Sequence, residues 1–165
     1  MPVILPATTT PLYRQIIARI AQDTDPPQGI LAALGNGASS IYPNYDTDGP
    51  SPDRTACPTP FLLVASLGKK KLDLLNREEQ IAIEVHDDPD QGVLRWPGLL
   101  LRLKQFLLVK EWRPTNDDLA TFRGGLYYDS ESPPEFPDQR YNTTMTQLIL
   151  CCQFSDVTSG RGQRG

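Results

Sequence analysis

The segment "QIAIEVHDDPDQGVLRWPGLLLRLKQFLL" (Gln80 to Leu108) constrains the fold most, because its hydrophobic period changes partway along. Ile81, Ile83 and Val85 alternate with Ala82 and Glu84. That is the two-residue repeat of a strand with one face covered and the other wetter. Beyond Asp-Pro and Gln-Gly the pattern turns helical. Leu94, Leu101, Phe106 and their neighbours make the helix apolar around most of its circumference, with Arg95, Arg102 and Lys104 as the polar remainder. A strand, a turn and a helix covered on more than one side are predicted. Pro97-Gly98 is expected in the first turn of that helix or at a kink, since proline is damaging in a helix interior.

The other periodic segments complete an α+β layer. "TTTPLYRQIIARIAQD" offers a Thr N-cap and Pro11 near the first helical position, followed by Leu12, Ile16, Ile17 and Ile20 at helical spacing. Pro26-Pro27 breaks this helix, and a short helical piece through Ile30, Leu31 and Leu34 stops at Gly35, which reads as a C-cap. From Ala38 to Pro60 the sequence reads as a long loop with a short extended piece at Ile41-Tyr42. "FLLVASL", between Pro60 and Gly68, reads as a buried strand. It can pair with Gln80–Val85 as a hairpin whose tip carries Lys69, Lys70, Lys71 and Arg77. Leu72, Leu74 and Leu75 in that tip do not suit a solvated turn, and exposed apolar surface usually meets a partner. A short strand is expected at Gly125 to Tyr128. The longest lies in "YNTTMTQLILCCQF", with Leu148, Leu150, Cys152 and Phe154 on one face and Met145, Ile149 and Cys151 on the other. The predicted fold is α+β: a mainly antiparallel four-stranded sheet packed with two principal helices, carrying long Pro-rich loops. One domain over residues 1–158 and a flexible Gly- and Arg-rich tail over 159–165 suit a chain of 165 residues.

Composition narrows the function classes. A net charge of -4 and a pI near 4.9 oppose a broad phosphate-gripping face. No run of about 18 apolar residues exists and "MPVILPATTT" lacks a signal-peptide pattern, so a soluble, unexported protein with no membrane contact is expected. Cys57, Cys151 and Cys152 have no CxxC spacing, and the adjacent pair reads as small buried hydrophobes.

The lone histidine, His86, precedes Asp87, Asp88 and Asp90. Adjacent residues do not face one another, no second histidine could complete a zinc site, and "DDPDQGVL" lacks the terminal Glu of a calcium loop. His86 and its aspartates therefore read as a turn, with Asp90 capping the following helix. "LGNGAS" (Leu34 to Ser39) has no phosphate-holding lysine, and no GxSxG elbow is present. The chain is expected to be no enzyme, with no cofactor and no metal.

The skeleton "LYRQIIARIAQD...GILAALG...SSIYP...CPTPFLLVASLG...QIAIEVHDDPDQGV...LLLRLKQFL...TMTQLILCCQF" resembles the tail-terminator or tail-completion proteins of long-tailed bacteriophages in order and spacing, from Leu12 to Phe154. The resemblance implies a ring-forming subunit, a hexamer at the head-proximal end of the tail that stops tube growth and joins the tail to the neck. Its implied partners are further copies of itself, the tail tube protein, a neck connector or stopper and, in contractile tails, the sheath protein. Genomic DNA would pass through the lumen without specific binding. The location would be the neck/tail junction of the virion, assembled in the host cytoplasm. A partly apolar helix and a sheet edge buried between subunits would suit such a ring.

Exposure arguments single out Lys69, Lys70, Lys71, Leu74, Leu75 and Arg77 as contacts for a tube or neighbouring ring. Trp112 with Arg113 is a candidate subunit anchor, weighed against a core role for Trp112. The alternatives are an adjacent neck connector or stopper and, in a different class, a small metal-dependent hydrolase using His86 with Asp87 or Asp88.

Overall fold

The computed structural model describes residues 11–26, 28–43, 58–90, 92–115, 121–132, 135–138 and 141–156. Helix α1 (Leu12–Ile20) starts directly after Pro11, whose carbonyl accepts from the amides of Arg14 and Gln15, both at 3.1 Å. Proline loses nothing there, because the first amides of a helix have no intrahelical acceptor. The threonines expected to cap this helix lie outside the described residues. Leu12, Ile16 and Ile20 are fully buried, as their spacing requires. Helix α2 (Ile30–Ala33) is a single turn and a 3₁₀ turn follows at Gly37–Ser40.

The C-cap expected at Gly35 is displaced by one residue. Leu34 occupies the C-cap position in an extended conformation, and Gly35 serves a close approach instead. Its amide donates to the Pro60 carbonyl at 2.9 Å, and a Cβ there would stand 2.5 Å from the carbonyl oxygen of Pro58.

Among the described residues the sheet is mixed and six-stranded, larger than the four mainly antiparallel strands expected. Its strands are β1 (Ile41–Pro43), β2 (Phe61–Lys71), β3 (Asn76–Asp87), β4 (Thr121–Glu131), β5 (Glu135–Asp138) and β6 (Thr143–Asp156). The order is β1-β2-β3-β6-β4, with β5 pairing β6 off this path. β1 runs parallel to β2, Ile41 beside Leu62 and Pro43 beside Val64. The remaining pairs are antiparallel. The third helix, α3 (Gly92–Leu107), connects β3 to β4.

One face of the sheet packs on the helices. Leu62 and Val64 of β2, Ile81, Ile83 and Val85 of β3, and Leu148, Leu150 and Cys152 of β6 form one core with α1, α2 and α3. The alternations read from sequence therefore point where they should. Helix α3 contributes Leu99, Leu100, Leu103 and Leu107 to this core and leaves Leu101 exposed at 53 %. Its apolar excess is thus one buried stripe with Trp96 and Phe106 half-buried beside it, and Pro97 lies inside the helix.

Asp23, buried after α1, ties three helices together. Its carboxylate accepts from the Ile30 amide that opens α2 (2.9 Å) and from Nε and Nη2 of Arg102 on α3 (2.8 and 2.7 Å). The hydrogen bonds from Arg102 hold the carboxyl below its ordinary range, outweighing the burial that would raise it.

The hairpin corrects a second expectation. Lys69, Lys70, Lys71 and Arg77 stand within β2 and β3, opposite Glu79, Glu78 and each other, and only Leu72–Leu75 form the tip. β2 is buried from Phe61 to Val64 and exposed from Leu67 onward, so its outer half and the start of β3 make an arm beyond the core. The 159–165 tail lies outside the described residues, as does Cys57. No described helix is long and apolar enough to cross a membrane.

Candidate functional site

His86, expected in a turn, lies on a strand instead. It is the penultimate residue of β3, opposite Met145 of β6 and fully buried. Its ring stacks on Phe61 at 4.7 Å between centroids and meets Tyr141 edge-on at 5.3 Å. Nδ1 lies 2.8 Å from the Thr143 hydroxyl and Nε2 lies 3.0 Å from the Glu84 carboxylate, which shares its strand face two residues earlier. Both ring nitrogens are therefore occupied. The expected turn begins later, at Asp88.

Asp87 is also on the strand and almost fully buried. It accepts a bidentate grip from Arg95 of α3, with Nε at 2.8 Å, and takes the Asp88 amide at 2.8 Å. This fastens the start of α3 to the end of β3. Asp90 lies in the exposed turn, and the residue that precedes α3 is outside the described residues, so its capping role is not described. A pocket of about 200 Å³ lies beside Phe61, Asp88, Tyr141, Asn142 and Thr143. Among the described residues, no group of three or more His, Cys, Asp or Glu converges as metal ligands do.

The two described cysteines form no disulfide and are fully buried, on opposite faces of β6. Burial first, then the charges of Glu78 and Asp129, push the Cys151 thiol up to about 11. A thiol so protonated is a poor nucleophile. Beside it the Tyr127 hydroxyl donates to Glu78, and burial with that bond raises the phenol well above its usual range.

The arm gathers six of the eight candidate contact residues. Asp73 organises its tip: Oδ1 accepts the amides of Leu75 (2.9 Å) and Asn76 (2.8 Å), and Oδ2 accepts the Asn76 side-chain amide at 2.9 Å. Those bonds, led by Asn76, also hold the Asp73 carboxyl below its ordinary range. A turn closed this way is ordered. It presents Leu72, Leu74 and Leu75 to water at 42 %, 66 % and 46 % exposure. Lys69 extends over the Phe154 ring with Nζ 5.3 Å from its centre.

Trp112 and Arg113 sit apart from this arm. Trp112 is half-buried against the main core, with the Arg19 guanidinium 5.6 Å from its ring centre, while Arg113 is exposed. Trp112 thus packs on the monomer core and keeps part of its surface exposed. Exposed Tyr127 and Tyr128 on β4 and Leu67 on β2 were not singled out from sequence; alternation along β4 was obscured by bulges at Arg123/Leu126 and Tyr128/Ser130.

A groove of about 540 Å³ between α2 and α3 includes Ile30, Ala33, Pro60, Arg95, Leu99 and Arg102. Both of its guanidiniums are already committed to buried aspartates, so it offers little free positive charge. No protein-family model matches the chain, and no curated protein matches it.

Proposed function

We propose that this chain is a structural protein of a phage virion: a tail terminator that forms a hexameric ring, caps the head-proximal end of the tail tube and joins it to the neck, with DNA passing through the ring. The observation that carries this reading is the arm. Three leucines held outward by an ordered turn, flanked by four basic side chains, suit docking on another protein and contribute nothing to the core of the monomer. The order of elements supports it too: helix, short helix, Ile-Tyr-Pro strand, hairpin, helix, two further strands and a closing strand resemble the tail-terminator order read from the sequence. The acidic net charge suits a channel that lets DNA slide.

Native mass spectrometry of the purified protein, alone and with tail tubes, tests the reading. A hexamer in either condition is expected. Changing Leu72, Leu74 and Leu75 together to serine should abolish tube capping while leaving the thermal unfolding of the subunit within experimental error. A chain that stays monomeric under both conditions overturns the proposal. Retention on connector rings and not on tubes would reassign it to the adjacent neck connector or stopper. A hydrolase built on His86 with Asp88 lacks an open ring nitrogen to work with.

A further inference from the structure

We infer that neighbouring copies in the ring join edge to edge, the outer half of β2 from one copy pairing antiparallel with β4 of the next. This rests on the ring reading and adds which surfaces close it. β1 covers β2 only from Leu62 to Val64, so among the described residues Ala65 to Lys71 have no strand on that side. At the opposite edge of the sheet, among the described residues, β4 pairs with β6 alone. Unpaired amides and carbonyls of this kind are templates for another strand.

The two edges differ in charge. β2 carries Lys69, Lys70 and Lys71; β4 carries Arg123 toward its start and, at its far end, Asp129, which is exposed, and Glu131, which already holds Lys104 at 2.5 Å. The crossed pairing sets the lysines of β2 beside the strand end that carries Asp129. Each edge also shows apolar surface, Leu67 at 52 % on one side and Tyr128 at 47 % on the other, which the crossed contact can cover. A contact that uses different patches on its two partners propagates around a ring and does not stop at a pair.

Topology permits the same solution. β2, β3, β6 and β4 alternate in direction, so copies standing the same way up bring each β4 beside an oppositely directed β2. A stagger of about one residue per strand, that of the eight-stranded (β/α)8 barrel, amounts to about four residues across these four strands. Lys69 is level with Glu79, whereas Glu131 is level, through Leu148, with Ile83. A stagger of that size along β3, in the sense that carries β4 toward the hairpin tip, sets the acidic end of β4 beside the lysines.

Charge reversal by mixing tests this contact. One variant carries Lys69→Glu with Lys70→Glu, the other Asp129→Lys with Ser130→Lys; all four positions are exposed. Each variant alone should lose the multimer seen for the wild type by native mass spectrometry. An equimolar mixture should regain it, because every boundary then joins opposite charges again. Either variant assembling alone as the wild type does, or a mixture that stays dissociated, overturns the edge contact. Should the reversed variants fold poorly, Lys70→Cys combined with Ser130→Cys decides: mild oxidation should yield a covalent ladder of copies absent from each single variant, and no ladder from an assembled multimer sinks the proposal. A wild-type chain monomeric with and without tubes removes the ring itself, whereas a wild-type ring indifferent to these changes removes only the edge contact.

Discussion

Asp23 shows how much of this fold hangs on one side chain. It closes the start of α2, receives Arg102 from α3 and follows directly on α1, so its loss unfastens three elements at once. Asp23→Ala should cost about 2–3 kcal/mol in urea unfolding, the range for hydrogen bonds to a buried charge. Because the folded carboxyl titrates below its unfolded value, its contribution is complete above the ordinary carboxylate range and disappears as pH falls through the folded value. The gap between wild type and Asp23→Ala should therefore narrow below about pH 4. Cys151 should resist iodoacetamide at pH 8 in the folded protein and react on unfolding, read at that peptide by mass, since burial keeps its thiol protonated. The position of His86 escaped sequence reasoning for a plain cause. "HDDPD" has the composition of a turn, and what buries His86 comes from residues distant in sequence, Phe61, Tyr141 and Thr143. Asp23 was equally silent, because its partners lie on two helices that follow it.

At the level of elements, periodic segments were legible and short or charged ones were not. Ile81, Ile83 and Val85, like Leu148 and Leu150, have similar buried surroundings, so alternation alone placed them. β1 has too few residues to show a period, and its parallel pairing is decided by its neighbour β2. The hairpin was read too short because three lysines look like a loop; only the cross-strand partners Glu79 and Glu78 reveal them as strand. Helix α3 looked apolar all round, yet its residues divide sharply. Leu103→Ala should cost about 3 kcal/mol in thermal or urea unfolding, as a fully buried leucine does on truncation. Leu101→Gln, on the exposed side, should change stability by less than about 0.5 kcal/mol. Equal losses at the two positions would mean that the helix packs differently in solution.

For the whole molecule, net charge and shape make separate demands. With a charge of -4, the protein should show no affinity for duplex DNA tighter than about 100 µM at physiological salt, measured by fluorescence anisotropy, because few phosphates can be neutralised. Tight, salt-sensitive binding would contradict a DNA channel of low friction. The burial gradient along β2 carries a further consequence. Its first residues, Phe61 to Val64, serve the stability of the subunit, since nearly any change there disturbs the core. From Leu67 outward the same strand is free of that constraint, so its side chains can drift with whatever surface they meet. A single continuous strand thus separates what keeps the subunit folded from what sets its company, and a lineage could change partners by rewriting the outer half alone.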